Sequence, residues 1–327
     1  MKAVVLDGHG GPEVLTWRDV PDPVPGPDEI LVDVVTTAVN RADLLQRLGL
    51  YPGPPAAVEI PGLEFAGRVA GVGERVRSWS VGDEVMGIVG GGAYAQRLVV
   101  HERQAIAVPD SLPLTEAGAV PEVFITAWDA LVVQGGLTSG RWALVHAGAS
   151  GVGTAAIQIA RAIGARTIVT ASAAKHGVCA SLGTDVVVDY RSEDFVEICE
   201  RATGGVGVDV VLDVVGGDYL PRNVRCLRVG GTIVQVGVMA GGPTSFDVGS
   251  LLPRRARLIG TVLRARPLEE KIAVSRRFAD EVVPLFDAGR LAPVIDSRYP
   301  LEQVAEAHRR MEANANAGKI VLDVAPA

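Results

Sequence analysis

From Trp142 to Ala160 the chain runs 19 residues without a formal charge. A run of that length approaches what a membrane-spanning helix needs. Its interior argues otherwise. Gly148, Gly151 and Gly153 interrupt it, and His146, Ser150, Thr154 and Gln158 are polar. It reads as an apolar strand (Ala143–His146), a turn of small residues and an amphipathic helix (Gly153–Ile163). Further strand candidates follow at Thr167–Thr170, Val186–Val188, Val208–Asp213, Thr232–Val236 and Leu258–Thr261. Each is apolar on both faces, as in a buried parallel sheet. Helical stretches at Ala174–Leu182 and Asp194–Thr203 alternate with them. The middle of the chain is therefore predicted to be a doubly wound α/β domain.

The flanks differ. Up to about residue 110, short Val- and Ile-rich runs (Lys2–Leu6, Ile30–Ala38, Leu98–Val100) are separated by Pro and Gly clusters. That spacing suggests a barrel-like or partly closed sheet. After a helical segment at Pro267–Ala288, the tail holds a helix (Leu301–Glu312) and two short strands, and is expected to pack back on the first part. The predicted boundaries are 1–122, 123–265 and 266–327. Glycine, 39 of 327 residues, shows no G-x-y period, which excludes a collagen-like chain. The net charge of −7 argues against nucleic acid as a partner. Cys179, Cys199 and Cys226 lie far apart, which argues against a disulfide framework and fits a reducing cytoplasm. The apolar run at Lys2–Leu6 is too short for a signal peptide, and no membrane association is expected.

The turn itself suits a dinucleotide. A pyrophosphate needs a tight turn, no side chain where it approaches, and free N–H groups at a helix N-terminus. Gly148, Ser150, Gly151, Val152 and Gly153 supply these, although Ser150 stands where a second glycine is usual. An NAD site carries Asp or Glu at the end of the next strand. Here that end reads Val169-Thr170-Ala171-Ser172-Ala173-Ala174-Lys175, with no carboxylate. Ser172 and Lys175 suit a 2′-phosphate, so NADPH is the expected cofactor; the alternative for Lys175 is a solvated helix residue. The other strand ends, Val214-Val215-Gly216-Gly217 and Val236-Gly237-Val238-Met239, face the ligand in such a fold. Val215, Gly216, Val236, Gly237 and Met239 are accordingly cofactor candidates.

Several runs resemble the medium-chain dehydrogenase/reductase superfamily along essentially the whole chain: Gly11-Pro12-Glu13-Val14-Leu15, Ala38-Val39-Asn40-Arg41-Ala42-Asp43, Pro61-Gly62-Leu63-Glu64-Phe65-Ala66-Gly67 and Val81-Gly82-Asp83-Glu84-Val85. Within it the chain resembles the zinc-independent quinone oxidoreductases. His146-Ala147-Gly148, Ser150 through Gln158, Met311-Glu312-Ala313-Asn314 and Gly318-Lys319-Ile320-Val321-Leu322 are similar to their tumour-suppressor-inducible branch. The resemblance implies a GroES-like β-barrel domain, formed by the N-terminal part plus the tail, and a Rossmann domain, with the cofactor in the cleft between them. It implies a homodimer, with Thr232–Val236 and Leu258–Leu263 as edge strands for pairing between subunits.

The zinc alcohol dehydrogenases carry a histidine ligand in the slot of Leu63. Their cysteine ligands fall near Asn40 and in Pro121-Glu122-Val123-Phe124. None of these soft ligands is present, so no metal is expected, and simple alcohol oxidation becomes unfavourable with it. The natural reaction is reduction of a quinone or a conjugated carbonyl (enone), by hydride or electron transfer from NADPH. The developing negative charge then needs a donor. The resemblance puts Asn40 beside the nicotinamide, Tyr51 at the substrate, and the Ser150 hydroxyl in reach of the cofactor. Read as residues alone, Tyr51 is equally a loop aromatic and Asn40 a turn residue before a helix. The resemblance further implies cofactor contacts at Thr126, at Tyr190 and Asn314 (2′-phosphate ribose), and at Leu263 and Arg264 (nicotinamide end). Arg264 reads equally as a solvated charge. Alternative functions are an enoyl or 2-alkenal reductase and a non-catalytic NADPH-binding structural or redox-sensing protein.

Overall fold

The computed structural model describes residues 1–54 and 56–324. The chain forms two compact units, Met1–Ile125 with Arg264–Ala327, and Thr126–Leu263.

In the first unit a seven-stranded sheet is organised around the long strand Glu29–Val39. The strand order is Ile295–Pro300, Lys319–Asp323, Glu29–Val39, Glu64–Val72, Glu84–Ile88, Ile106–Ala107, with Arg97–His101 also pairing Glu29–Val39. Burial along Glu29–Val39 explains the arrangement. Ile30, Val32 and Val34 are buried alternately with more exposed neighbours, the pattern of a strand with one core face. From Thr36 to Val39 every residue is buried, and there Ile320 pairs with Val39 and Ala66 with Thr36. The strand Lys319–Asp323 of the tail pairs with Glu29–Val39 of the N-terminal sheet. One core joins Ile30, Val32, Phe65, Val69, Val85 and Leu98. A second joins Val4, Leu6, Leu44, Tyr94, Ile320 and Leu322. Lys2–Leu6 and Leu15–Asp19 form a separate antiparallel ribbon. The predicted helix Pro267–Ala288 is two helices, Leu268–Glu281 and Val283–Asp287. Pro284 has no N–H to give a preceding turn, so one helix ends and another begins there.

The second unit is a six-stranded parallel sheet in the order Val186–Asp189, Arg166–Ala171, Trp142–Val145, Val208–Asp213, Leu227–Gln235, Arg257–Gly260. In chain order this is 3-2-1-4-5-6, the doubly wound Rossmann arrangement. Its direction of winding reverses between Trp142–Val145 and Val208–Asp213. Ala143, Leu144, Val145, Ile168, Val169, Val210, Val211 and Leu212 are all essentially inaccessible, as the two-sided apolar runs predicted. Two details correct the sequence reading. Leu227–Gln235 pairs on both sides, so Thr232–Val236 supplies no free edge; Arg257–Gly260 is the edge strand. A helix at Tyr219–Cys226 was not anticipated. Pro221 and a polar sequence hide it, and only its buried Asn223, Val224 and Cys226 reveal why it forms. The three cysteines are free and buried. Among the described residues no helix is long and apolar enough to cross a membrane.

Candidate functional site

The helix Gly151–Ala162 begins two residues earlier than its apolar pattern suggests, because Ser150 caps it. The Ser150 hydroxyl accepts from the Gly153 N–H at 3.0 Å. Gly151 and Val152 lie in the first turn, whose N–H groups have no intrahelical acceptor. A carbon added at Gly153 would come within 2.4 Å of the Ala147 carbonyl oxygen, so only glycine lets the turn pass this close. Ala147 takes a left-handed φ of 55°, and the Gly148 N–H is held by the Thr170 carbonyl at 2.9 Å. The result is a positive helix end behind a turn of small residues, which suits an anionic phosphate.

Other candidates in this unit occupy the carboxyl ends of the strands. Ser172 precedes and Lys175 closes the short helical turn Ala173–Lys175 that follows Arg166–Ala171. Tyr190 follows Val186–Asp189 and is 44% exposed, with the Arg191 guanidinium 5.7 Å from its ring centre. Val215 and Gly216 form a turn after Val208–Asp213, and Gly216 has a φ of 69°. Asp213 Oδ1 accepts from the N–H of Val215 at 2.6 Å and of Gly216 at 2.9 Å. Val236 and Gly237 follow Leu227–Gln235, Met239 is exposed, and Leu263 is half-buried at the end of the unit. Thr126 is buried on the helix Pro121–Trp128.

The remaining candidates lie in the first unit. Asn40 precedes the helix Arg41–Arg47, but its side chain turns into the core. It donates to Glu64 Oε1 at 2.8 Å and to the Ala38 carbonyl at 3.3 Å, and its oxygen accepts from Lys319 Nζ at 2.6 Å. Both amide hydrogens are committed, so in this arrangement Asn40 holds Lys319 and Glu64 and is not an open donor. Lys319 also contacts Glu64 at 2.7 Å, and both side chains are buried. Glu64 Oε2 accepts from the Glu122 N–H. Beside them Asp43 accepts from the Asn40 N–H at 2.8 Å and from the Tyr94 hydroxyl at 3.0 Å. Burial pushes the Asp43 carboxyl up to about 6. Behind Tyr94, at 3.4 Å, lies His308. Burial, assisted by Arg47, depresses its imidazole to about 3.

Tyr51 is half-buried, and its hydroxyl makes no hydrogen bond among the described residues. Arg264 holds it. The guanidinium lies 4.9 Å from the ring centre and donates to the Tyr51 carbonyl at 3.1 Å, the Gly90 carbonyl at 2.7 Å and Gln46 Oε1 at 2.8 Å. Of the two readings of Arg264, the solvated charge does not describe this residue. Burial raises the Tyr51 phenol, with Arg264 opposing. Asn314 has a left-handed φ of 51° and accepts from Arg41 at 2.6 Å.

Residues 26–110 match the family described as alcohol dehydrogenase GroES-like domain, and residues 182–322 match that described as zinc-binding dehydrogenase. The quinone oxidoreductase of Lama guanicoe is 32% identical over 98% of this chain and 97% of its own length. The synaptic vesicle membrane protein VAT-1 homolog of Rattus norvegicus is also 32% identical, over 100% of this chain and 85% of its own. The crystal structure of Escherichia coli quinone oxidoreductase complexed with NADPH superposes with a TM-score of 0.90, at 30% identity over 99% of this chain and 100% of that one. The chain belongs to the medium-chain dehydrogenase/reductase superfamily.

Membership raises the question of zinc, which one of the matched families is named for. The residues present do not fit it. Catalytic zinc takes three N, S or O ligands. Leu63 offers none, and the oxygens of Asn40 and Glu64 already surround the Lys319 ammonium. No group of three potential ligands occurs among the described residues. Glu64, Lys319 and Asp43 escaped the sequence reading as site residues. Their signal was a charge inside otherwise apolar strand sequence, as in Glu64-Phe65-Ala66-Gly67 and Lys319-Ile320-Val321-Leu322. His146, Asn223 and the Asp213 carboxylate were likewise not singled out.

Proposed function

We propose that this oxidoreductase uses NADPH to reduce quinones without a metal. The observation that carries the reading is the Lys319–Asn40–Glu64 cluster: a fixed ammonium held by Asn40 and Glu64, beside Asn40 and Leu63, where the family resemblance puts zinc-ligand slots. Likeness to an NADPH-complexed quinone oxidoreductase and to a curated one supports it. NADPH supplies the hydride. The chain supplies the rest. Gly151, Val152 and the Ser150-capped turn hold the pyrophosphate; Ser172, Lys175 and Tyr190 receive the 2′-phosphate. Val215, Gly216, Val236, Gly237, Met239, Leu263 and Thr126 line the cofactor within its unit. On the acceptor side, Asn40 keeps the ammonium in place, and Arg264 presents the Tyr51 phenol beside the exposed Leu48 and Leu50. Apolar side chains with one hydroxyl suit a flat, apolar acceptor with polar oxygens. As hydride arrives at the quinone, the Tyr51 hydroxyl donates a hydrogen bond to the developing oxyanion, and a single proton from solvent converts the hydroquinone anion to the hydroquinone.

The decisive measurement is NADPH oxidation with ortho-quinones, para-quinones and enones in parallel. Turnover of quinones above enones is expected. Preference for enones would make the protein an alkenal reductase, and no turnover with any acceptor would make it a non-catalytic binder. Cofactor choice is tested by Lys175→Ala, expected to lower the NADPH-over-NADH preference about tenfold, since a charge-assisted phosphate contact is lost; an unchanged preference removes Lys175 from the site. A homodimer through the Arg257–Gly260 edge, where Leu258 is exposed, belongs to the same reading, and sizing that finds only monomer refutes it.

A further inference from the structure

Beneath the glycine-rich turn, four side chains form a hydrogen-bonded chain. Thr170 Oγ1 lies 3.1 Å from His146 Nδ1, His146 Nε2 lies 2.7 Å from Asn223 Oδ1, and Asn223 Nδ2 lies 2.8 Å from Asp213 Oδ2. All four residues are at most 1% exposed. The direction of each link follows from the chemistry of its ends. Asp213 receives two backbone N–H groups on its other oxygen and offers acceptors only. Asn223 must therefore turn its amide nitrogen to Asp213 and its oxygen to His146. An oxygen there requires a hydrogen on Nε2. Burial disfavours the charged imidazole, so Nδ1 is an acceptor and takes the Thr170 hydroxyl hydrogen. The Thr170 oxygen in turn accepts from the Ala147 N–H at 3.3 Å. Phe195 and Tyr219 meet the imidazole edge-on, with ring centres 4.9 and 4.7 Å away, and hold its plane.

We propose that His146, as the neutral Nε2–H tautomer, is a positioning residue for the cofactor. It joins two turns at the ends of paired strands, beyond the bond between those strands that lies nearest the turns, from the His146 N–H to the Leu212 carbonyl at 3.1 Å. The turn at 147–150 follows Trp142–Val145 and the turn at 215–216 follows Val208–Asp213, the two strands between which the winding reverses. No crossover connection links them directly. The side-chain relay does: one end holds the Ala147 N–H, the other holds the N–H groups of Val215 and Gly216. The two turns thereby keep one fixed spacing before a ligand arrives. This role rests on the reading of these turns as the NADPH site.

The test is direct NADPH binding, followed by nucleotide fluorescence, to the wild type, His146→Gln and His146→Leu. Gln retains an N–H for Asn223 and Leu does not. The Leu variant is expected to bind NADPH about tenfold more weakly and the Gln variant within about threefold of wild type, with kcat at saturating NADPH changing less than the dissociation constant. Equal affinity of wild type and Leu overturns the proposal. A wild type that binds no NADPH overturns the cofactor reading instead, a different result. Should the Leu variant not fold, Thr170→Val carries the same test, with several-fold weaker binding expected and unchanged binding overturning it. Nitrogen NMR of the His146 imidazole gives an independent check: an Nδ1–H tautomer or an imidazolium at neutral pH refutes the directed chain.

Discussion

At the scale of single residues, neighbours decide what a side chain can do. Tyr51 is a phenol, neutral in any case at neutral pH, that burial pushes further up and Arg264 orients. Tyr51→Phe is expected to lower kcat by about 10²-fold, the size of a lost donor to a developing oxyanion, and to leave NADPH binding unchanged; steady-state kinetics with a quinone acceptor checks this. His308 shows the opposite influence of burial. Its folded value of about 3 lies below the ordinary 6.5, so the unfolded chain binds the extra proton between these limits. Its contribution is therefore present above pH 6.5 and lost as pH falls toward 3, at about 1.4 kcal/mol per pH unit. Asp43 works against this: its value is raised from 3.8 to about 6, so between those limits the folded chain takes up the proton first and gains stability as pH falls. The difference between wild type and His308→Leu isolates the histidine. Denaturation midpoints measured from about pH 7 to about pH 4 should converge as pH falls.

At the scale of elements, the helix Gly151–Ala162 depends on two residues for different reasons. Ser150 satisfies one of its open N–H groups, and Ser150→Ala is expected to cost about 1 kcal/mol of stability. Gly153 is needed for space. A methyl group there meets the Ala147 carbonyl oxygen at 2.4 Å, so the turn must open. Gly153→Ala is expected to cost about 1–3 kcal/mol and to weaken NADPH binding by at least the factor seen for Ser150→Ala. Thermal midpoints and NADPH titrations of the two variants separate loss of a cap from displacement of the turn. Wild-type stability and affinity in the Gly153→Ala variant would show that the turn has room to give.

At the scale of the whole molecule, the late strand Lys319–Asp323 joins the sheet of Glu29–Val39, and a buried ion pair marks the junction. Lys319, on the strand Lys319–Asp323, reaches Glu64 and Asn40 with its ammonium almost wholly inaccessible. A buried pair of this kind contributes little against apolar replacements, but removing one partner strands the other charge. Lys319→Met is thus expected to destabilise the protein by about 3–5 kcal/mol, and Lys319→Met with Glu64→Gln to recover a good part of that loss. Chemical denaturation of wild type, both single variants and the double variant supplies the cycle. An additive double variant would mean that the pair is not coupled.

The doubly wound unit was legible in the sequence because its determinants are local. Apolar runs such as Val208–Asp213 are buried on both faces whatever surrounds them, and the glycine-rich turn must follow its strand and open its helix. The return of the tail was expected from its two short strands and from the family resemblance, and in the structure Ile320, Val321 and Leu322 of its last strand are all inaccessible. The tertiary structure alone decided the partners of polar groups. Asn40 reads as a helix-entry residue, yet its side chain serves Lys319, distant in sequence. Arg264 reads equally as a cofactor contact and as a solvated charge, and its three carbonyl and amide acceptors and the Tyr51 ring come together only in the fold. The His146–Asn223–Asp213 chain has no sequence signal, because its members come from two strand ends and a helix that local propensity does not favour. Apolar burial is encoded position by position, whereas a hydrogen bond exists only between two groups that the fold has already brought within about 3 Å.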